Sequence, residues 1–61
     1  MIYRTIDWYD GKEIIYKGNS LKEARQARKQ RYLDTDEEAD VTIEMLHVNL
    51  DGNAIWVYTS Y

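Results

Sequence analysis

Catalysis would require a nucleophile and a base at a recognisable spacing, and the sequence offers few candidates. His47 is its one histidine, and there is no cysteine. Ser20 begins the pattern of a helix N-cap, and no other hydroxyl side chain stands in a G-x-S-x-G or phosphate-loop motif. A lone histidine among Met45, Leu46 and Val48 is more often a structural strand residue than a catalyst. We therefore expect no enzymatic activity and no cofactor.

A run of carboxylates is the most biased segment of the chain. Five of the seven residues from 34 to 40 are acidic: Asp34, Asp36, Glu37, Glu38 and Asp40. The run lacks the sixth-position glycine and the distant bidentate glutamate of a calcium loop, and the usual zinc ligands are missing as well. We expect no metal site. The run is interpreted either as a solvated connector or as an acidic contact with a basic groove on a partner.

Positive charge is concentrated just before this run. Residues 20–33 carry five Lys and Arg and one Glu, a local charge of +4. Side chains from a broad sector of this segment would reach phosphates, and exposed aromatic rings would stack on bases. The residues assigned to such a nucleic-acid contact are Lys22, Arg25, Arg28 and Lys29.

The segment from Asp10-Gly11-Lys12 to the SLKEAR stretch at 20–25 resembles the amino-terminal arm-binding modules of phage integrases, in which three strands precede a helix. The resemblance implies nucleic-acid binding. Against it, the net charge is −3, and the acidic run would repel the same phosphate backbone. Nucleic-acid binding is therefore our second hypothesis.

Size and composition limit the number of domains, the kind of surface and the location that we expect. A chain of 61 residues is expected to form a single domain over 1–61, because such a chain buries only about 60% of its unfolded surface. Six tyrosines and two tryptophans occur without any phenylalanine, which favours surfaces that are apolar on one side and wet on the other. No apolar stretch is long enough to cross a membrane, and Met1 leads into a strand pattern, so we expect a cytoplasmic protein without membrane contact.

The candidate binding residues are positioned by one predicted helix between two predicted hairpins. Ser20-Leu21-Lys22-Glu23 fits a capping box, and the helix is predicted over Asn19 to Leu33. One side of it carries a thin stripe made of Leu21, Ala24, Ala27, Arg28, Arg31 and Tyr32. The flanking segments, Met1 to Lys17 and Val41 to Tyr61, each contain an Asp-Gly pair typical of hairpin turns.

The faces of the two hairpins depend on their loop lengths. At Asp10-Gly11 we prefer a three-residue loop with Gly11 left-handed, because it collects the apolar side chains on one face: Ile2, Ile6, Trp8, Ile14 and Tyr16. At Asp51-Gly52 we predict a two-residue turn. That turn groups Val41, Ile43, Met45 and His47 with Trp56 and Tyr58, and groups Leu46, Val48 and Leu50 with Ile55 and Val57. The sequence leaves open which face the helix covers.

The second hairpin is apolar on both predicted faces, and one helix covers only one of them. Apolar side chains therefore remain near water, as at an interaction site. Depending on the face that the helix covers, the side chains left near water are several of Leu46, Val48, Ile55 and Val57, or several of Ile43, Met45, Trp56 and Tyr58. The predicted contact residues are the latter set, Ile43, Met45, Trp56 and Tyr58, extended by Tyr3 and Tyr9, with the acidic run as a second contact. Self-association into a homodimer would cover the same surface.

The β-β-α-β-β order resembles the layout of the immunoglobulin-binding domain of protein G, which implies an α+β fold with a four-stranded, mostly antiparallel sheet, adjacent and parallel terminal strands, and a helix on one face. Short, acidic, cysteine-free chains are also similar to the small inhibitors of phages and mobile elements, including anti-CRISPR proteins. Our hypothesis is a non-enzymatic protein-binding module that inhibits or regulates a larger protein in the host cytoplasm.

Overall fold

The computed structural model describes residues 1–36 and 38–61, which form four strands and one helix. The strands are β1 (Tyr3–Asp7), β2 (Glu13–Gly18), β3 (Val41–Val48) and β4 (Ala54–Thr59), and helix α1 (Leu21–Asp34) joins β2 to β3. The predicted β-β-α-β-β order and the α+β fold are confirmed.

The sheet order is β2-β1-β3-β4, and all neighbouring strands are antiparallel. The parallel pairing of the terminal strands implied by the protein G layout is therefore wrong. After the helix the chain returns directly beside the end of β1, where the Trp8 amide donates to the Asp40 carbonyl at 2.8 Å. This bond brings β3 into the sheet next to β1, and β4 is left at the edge.

Helix α1 begins and ends at side chains that satisfy its free backbone groups. The Ser20 hydroxyl accepts from the Glu23 amide at 3.1 Å, as the capping box predicts. Glu23 does not reach back to the Ser20 amide directly: the Tyr16 hydroxyl lies between them, accepting from that amide at 3.2 Å and donating to Glu23 at 3.1 Å. At the other end, the Thr35 amide and hydroxyl both donate to the Arg31 carbonyl.

The helix packs on the face of the first hairpin that carries both polar and apolar side chains, rather than on the more apolar face of Ile6 and Ile14. Thr5 and Ala24 have no exposed surface, and the Thr5 hydroxyl donates to the Ala24 carbonyl at 2.9 Å. Arg31 donates to Asp7 on the same face of β1 at 2.8 Å. A stripe of alanines and arginines matches this face because alanine allows close approach and Arg31 pairs with the carboxylates of Asp7 and Glu13. In the described residues, no helix is long and apolar enough to cross a membrane.

The first hairpin has the predicted parity near its turn. Ile6 lies opposite Ile14, and Gly11 has a positive φ of 88°. The loop is longer than predicted, however, since residues 8–12 separate the paired Asp7 and Glu13. A register shift follows, so that Thr5 pairs with Tyr16, and Tyr16 lies on the helix side instead of with Ile6 and Ile14.

The two-residue turn predicted in the second hairpin is wrong. Residues 50–52 form a three-residue loop, closed by the Asn49 amide donating to the Asn53 carbonyl at 2.9 Å. Gly52 is the residue with positive φ, at 82°, and the Asn49 side chain accepts from the Asp51 and Asn53 amides. This loop changes the parity: Met45 now lies opposite Val57, and Leu46 lies opposite Trp56.

Candidate protein-binding surface

The β3–β4 hairpin extends beyond the part of the sheet that the helix covers. Helix α1 packs against β1, β2 and β3, and no Cα atom of β4 lies within 8 Å of a helical Cα atom in the described chain. The molecule measures 42 × 23 × 17 Å. Its radius of gyration of 12.1 Å exceeds the roughly 10.5 Å expected of a compact domain of this length. Much of the second hairpin is therefore left open to solvent.

On the side of the sheet that carries the helix, the hairpin presents an apolar surface that we name the helix-side patch, made of Met45, Ile55 and Val57. Ile55 lies opposite His47, and Val57 lies opposite Met45. Ile55 is 51% exposed and Val57 is 37% exposed. These side chains lie on the same face as the buried Ile43, so the patch continues the hydrophobic core outward past the end of the helix.

The other side of the hairpin carries a second apolar surface, the open-side patch, made of Leu46, Val48, Trp56 and Tyr58. Leu46 pairs with Trp56 across the strands. Val48 is 60% exposed and Tyr58 is 67% exposed. Both sides of the hairpin thus expose large apolar side chains, as the sequence predicted, although in different combinations.

The central part of this open side is covered by side chains of the sheet itself. Ile6 has no exposed surface and lies between Thr42 and Ile14 on neighbouring strands. The Trp8 indole N–H donates to the Thr42 hydroxyl at 2.8 Å, which holds the ring against the sheet. Trp8 and Ile14 are nevertheless 40% and 47% exposed on this side, so the exposed apolar surface extends along the first hairpin as well as over β4 and the far half of β3.

The structure separates the predicted contact residues into several places. Ile43 is 1% exposed beneath the helix, so its prediction as a surface contact is wrong. Met45 lies on the helix side with Tyr3 opposite it on β1, whereas Trp56 and Tyr58 lie on the open side. Tyr9 is exposed in the loop after β1, at the end of the sheet away from the 50–52 loop.

The acidic run also lies at that distant end. Asp34, Asp36, Glu38 and Asp40 are exposed, and Glu37 falls outside the described residues. Asp34 accepts from the Gln30 side chain at 2.8 Å. Within 1–36 and 38–61, no group of three or more His, Cys, Asp or Glu side chains is arranged to hold a metal ion. The run is separate from both apolar patches and would form a second contact rather than part of the first.

The four basic residues predicted to form a surface on the helix differ in their exposure and in their partners. Lys22, Arg25 and Lys29 are exposed, and in the described part of the chain none of them has a carboxylate oxygen within 4 Å. Arg28 is half-buried and donates to the Tyr61 carbonyl at 2.7 Å. Three of the four predicted residues therefore remain available to a phosphate.

Electrostatics in the core are set by Asp7, which is 6% exposed. The pKa of the Asp7 carboxyl lies below its ordinary value because the Tyr9 amide donates to it, and the Asp40 amide and the Arg31 guanidinium add to this effect against the opposing effect of burial. Arg31 also lowers the pKa of Glu13 and has its own pKa raised by both carboxylates. The network ties the helix to the sheet through Arg31, Asp7 and Glu13.

Sequence reasoning missed two features of the surface. Ile55 and Val57 lie on the same face as Met45, whereas the predicted two-residue turn put them on the opposite face, and the signal that would have grouped them is the three-residue loop. Arg4 had no assigned role, yet its guanidinium carbon lies 4.2 Å from the ring centroid of Trp56. Lys17 reaches the same ring at 5.9 Å.

No protein-family model matches this chain, and no curated protein sequence and no solved structure is significantly similar to it.

Proposed function

We propose that this chain is a small, non-enzymatic protein-binding module that inhibits or regulates a larger protein by occupying part of its surface. The observation that supports the proposal is the exposure of large apolar side chains on both sides of the β3–β4 hairpin. Contiguous apolar surface of this kind marks interaction sites more often than chance exposure. The helix-side and open-side patches are the proposed contact.

The chemistry of the hairpin favours a protein over other partners. Strand β4 has the sequence Ala-Ile-Trp-Val-Tyr-Thr and carries no charged side chain. Trp56 and Tyr58 combine an apolar ring with a polar group, a combination enriched at protein interfaces. A partner surface with apolar side chains and a few hydrogen-bonding groups would match it.

The size, acidity and lack of cysteine are similar to those of phage and mobile-element inhibitors, including anti-CRISPR proteins, and this is the class we propose, acting in the cytoplasm of a host cell. The exposed carboxylates of Asp34, Asp36, Glu38 and Asp40 support a second contact with a basic surface. An inhibitor with both contacts would combine apolar anchoring at one end of the sheet with charge attraction at the other.

Affinity capture from the producing cell, followed by titration of the purified partner, tests the apolar contact. Ile55→Ser and Tyr58→Ser should each weaken binding roughly tenfold or more, since anchor residues contribute on the order of 2 kcal/mol. Leu33→Ser is the matched control, because Leu33 is 65% exposed but lies on the helix. The proposal fails if the hairpin variants bind as tightly as this control.

Reversing the charge of the acidic run tests the second contact separately. Replacing Asp34, Asp36, Glu38 and Asp40 by lysine should slow association and reverse the salt dependence of the rate, because attraction to a basic surface becomes repulsion that salt screens. Unchanged association at low and high salt would leave the apolar hairpin as the contact and remove the acidic one.

A second candidate function is nucleic-acid binding through the helix. The exposed Lys22, Arg25 and Lys29, with no carboxylate of the described chain within 4 Å, are the observation in its favour. Titration with duplex and single-stranded DNA and RNA at two salt concentrations checks it, because phosphate contacts weaken steeply with salt. The protein-binding proposal predicts no salt-sensitive complex in this assay.

A further inference from the structure

The two edges of the sheet differ in how they resist pairing with another strand. The β2 edge carries Glu13 and Lys17, and its pairing with β1 is interrupted by a register shift. Charges and bulges of this kind discourage edge-to-edge association. The β4 edge has no charge, no proline and a continuous register with β3 over six residues. It therefore lacks the features that protect β2.

Hydrogen bonds on the inner strands determine which backbone groups of β4 point outward. The Leu46 amide donates to the Ile2 carbonyl at 2.8 Å, so the even-numbered residues of β3 bond to β1. The Asn49 amide donates to Asn53, so the odd-numbered residues face β4. Ile55, Val57 and Thr59 are accordingly bonded to β3. The alternating residues Ala54, Trp56 and Tyr58 present their N–H and C=O groups at the free edge.

A strand that pairs here must suit apolar neighbours on both sides of the sheet. On the helix side it would lie beside Ile55 and Val57, and on the open side beside Trp56 and Tyr58. The other strands of this chain each carry charge: Arg4 and Asp7 in β1, Glu13 and Lys17 in β2, and Glu44 in β3. Strand β4 has no charge and is apolar on both faces, so a second β4 meets the requirement.

We propose that two copies of this chain pair antiparallel through β4 to form one eight-stranded sheet. The register that uses every outward residue sets Trp56 opposite Trp56 of the second copy, and Ala54 opposite Tyr58. The two-fold axis then runs perpendicular to the sheet, which leaves both helices on one side and joins the two open-side patches on the other. The inference rests on the proposed function, in that the β3–β4 hairpin is a contact surface, and it names the occupant of the edge.

The thin core of the single chain agrees with this pairing. Ile6, Ala24 and Ile43 are the described apolar residues with almost no exposed surface. A domain with so small a core gains stability from an added interface, and that stability depends on chain concentration. Pairing covers the backbone edge of β4 and the flanks of its side chains at that edge, and it leaves the outward surfaces of both apolar patches open to a larger protein.

Backbone methylation of synthetic chains tests the pairing without changing a side chain. N-methylation of Trp56 blocks an outward N–H of β4. N-methylation of Lys17 is the control: even-numbered residues of β1 bond to β3, and Lys17 pairs with Arg4, so its N–H points outward at the opposite edge. Sedimentation across a dilution series should show the unmodified chain and the Lys17 control at twice 7.3 kDa at high concentration. The Trp56 chain should have a dissociation constant raised roughly a hundredfold.

Circular dichroism of both methylated chains establishes that they are folded. An unmodified chain that is monomeric even at millimolar concentration overturns the pairing, as does equal dimerisation of the two methylated chains. These results are distinguishable from failure of the proposed function. If the chain is a monomer and Ile55→Ser weakens its binding to the larger protein, only the pairing is overturned. If the chain is a β4-dependent dimer and neither Ile55→Ser nor Tyr58→Ser changes its binding to the larger protein, only the proposed function is overturned.

Discussion

The guanidinium of Arg4 lies over the ring of Trp56, with its carbon 4.2 Å from the ring centroid. Its Nε also donates to Glu44 at 2.6 Å, and the Arg4 and Glu44 side chains are 13% and 17% exposed. Arg4 belongs to central strand β1, Glu44 to β3 and Trp56 to edge strand β4. The three side chains therefore tie the edge of the sheet to its centre on the side that the helix does not cover.

Replacing Arg4 by methionine should lower the free energy of unfolding by roughly 1–3 kcal/mol, because the shielded Glu44 carboxylate loses its partner and Trp56 loses its cation. Urea unfolding measures the change. Arg4→Lys should recover little of it, since an ammonium group lacks the planar guanidinium that stacks and pairs at once. A double-mutant cycle with Glu44→Gln should show coupling, and additive effects would contradict the shared role.

Thr5 supplies a polar contact between sheet and helix, through its hydroxyl and the Ala24 carbonyl. Thr5→Val keeps the shape but removes the donor, so it should cost about 1 kcal/mol of stability. Thr5→Ser keeps the donor at this fully buried position and is the matched comparison. Urea midpoints of the two variants provide the measurement. A valine variant as stable as the natural chain would mean that the hydrogen bond makes no net contribution.

Stability should fall in acid because of Asp7. Its pKa is lowered in the folded chain, so its stabilising effect is fully present above the ordinary value of 3.8 and is lost as the pH falls through the lower folded value. The pKa of Glu13 is also lowered, so its stabilising effect is likewise lost as the pH falls below the ordinary pKa of 4.5. Asp7→Asn should lower the urea midpoint at neutral pH and flatten its decline in acid.

Asp51→Asn is the control for that measurement, since Asp51 is exposed in the 50–52 loop and forms no described ion pair. It should leave both the neutral midpoint and the acid profile unchanged. An acid profile of Asp7→Asn as steep as that of the natural chain would place the titrating group elsewhere.

Local signals in the sequence predicted the elements well. Ser20 and Glu23 mark the start of the helix, and the two Asp-Gly pairs mark the hairpins. The loop lengths were less accessible, because the same dipeptide lies in a five-residue loop at 8–12 and in a three-residue loop at 50–52. The first loop is held by the Tyr9 amide bonding to Asp7, and the second by the Asn49 side chain. Neither contact follows from turn propensity alone.

The hydrophobic pattern also did not predict which face of the sheet the helix covers. Pattern alone favours burial of the side bearing Ile6 and Ile14, yet the helix lies on the side of Thr5 and Asp7. Its own residues decide this: Arg31 pairs with Asp7, and Ala24 brings the backbone within reach of the Thr5 hydroxyl. Ile6 is buried without a helix by its neighbours on the other side. Only the combination of both elements reveals which patches remain exposed.

The register of the proposed β4 pairing predicts a specific disulfide. The chain has no cysteine, so Ala54→Cys and Tyr58→Cys chains carry no competing thiol. These two positions face each other across the pair at a Cα separation of about 5.5 Å, within the range a disulfide spans. An oxidised mixture of the two variants should therefore yield a covalent dimer that gel electrophoresis without reductant detects. Each variant alone should cross-link slowly, because two residues at position 54, or two at position 58, lie on opposite sides of the two-fold axis. Equal cross-linking of one variant alone would show that the strands meet in another register or only by collision.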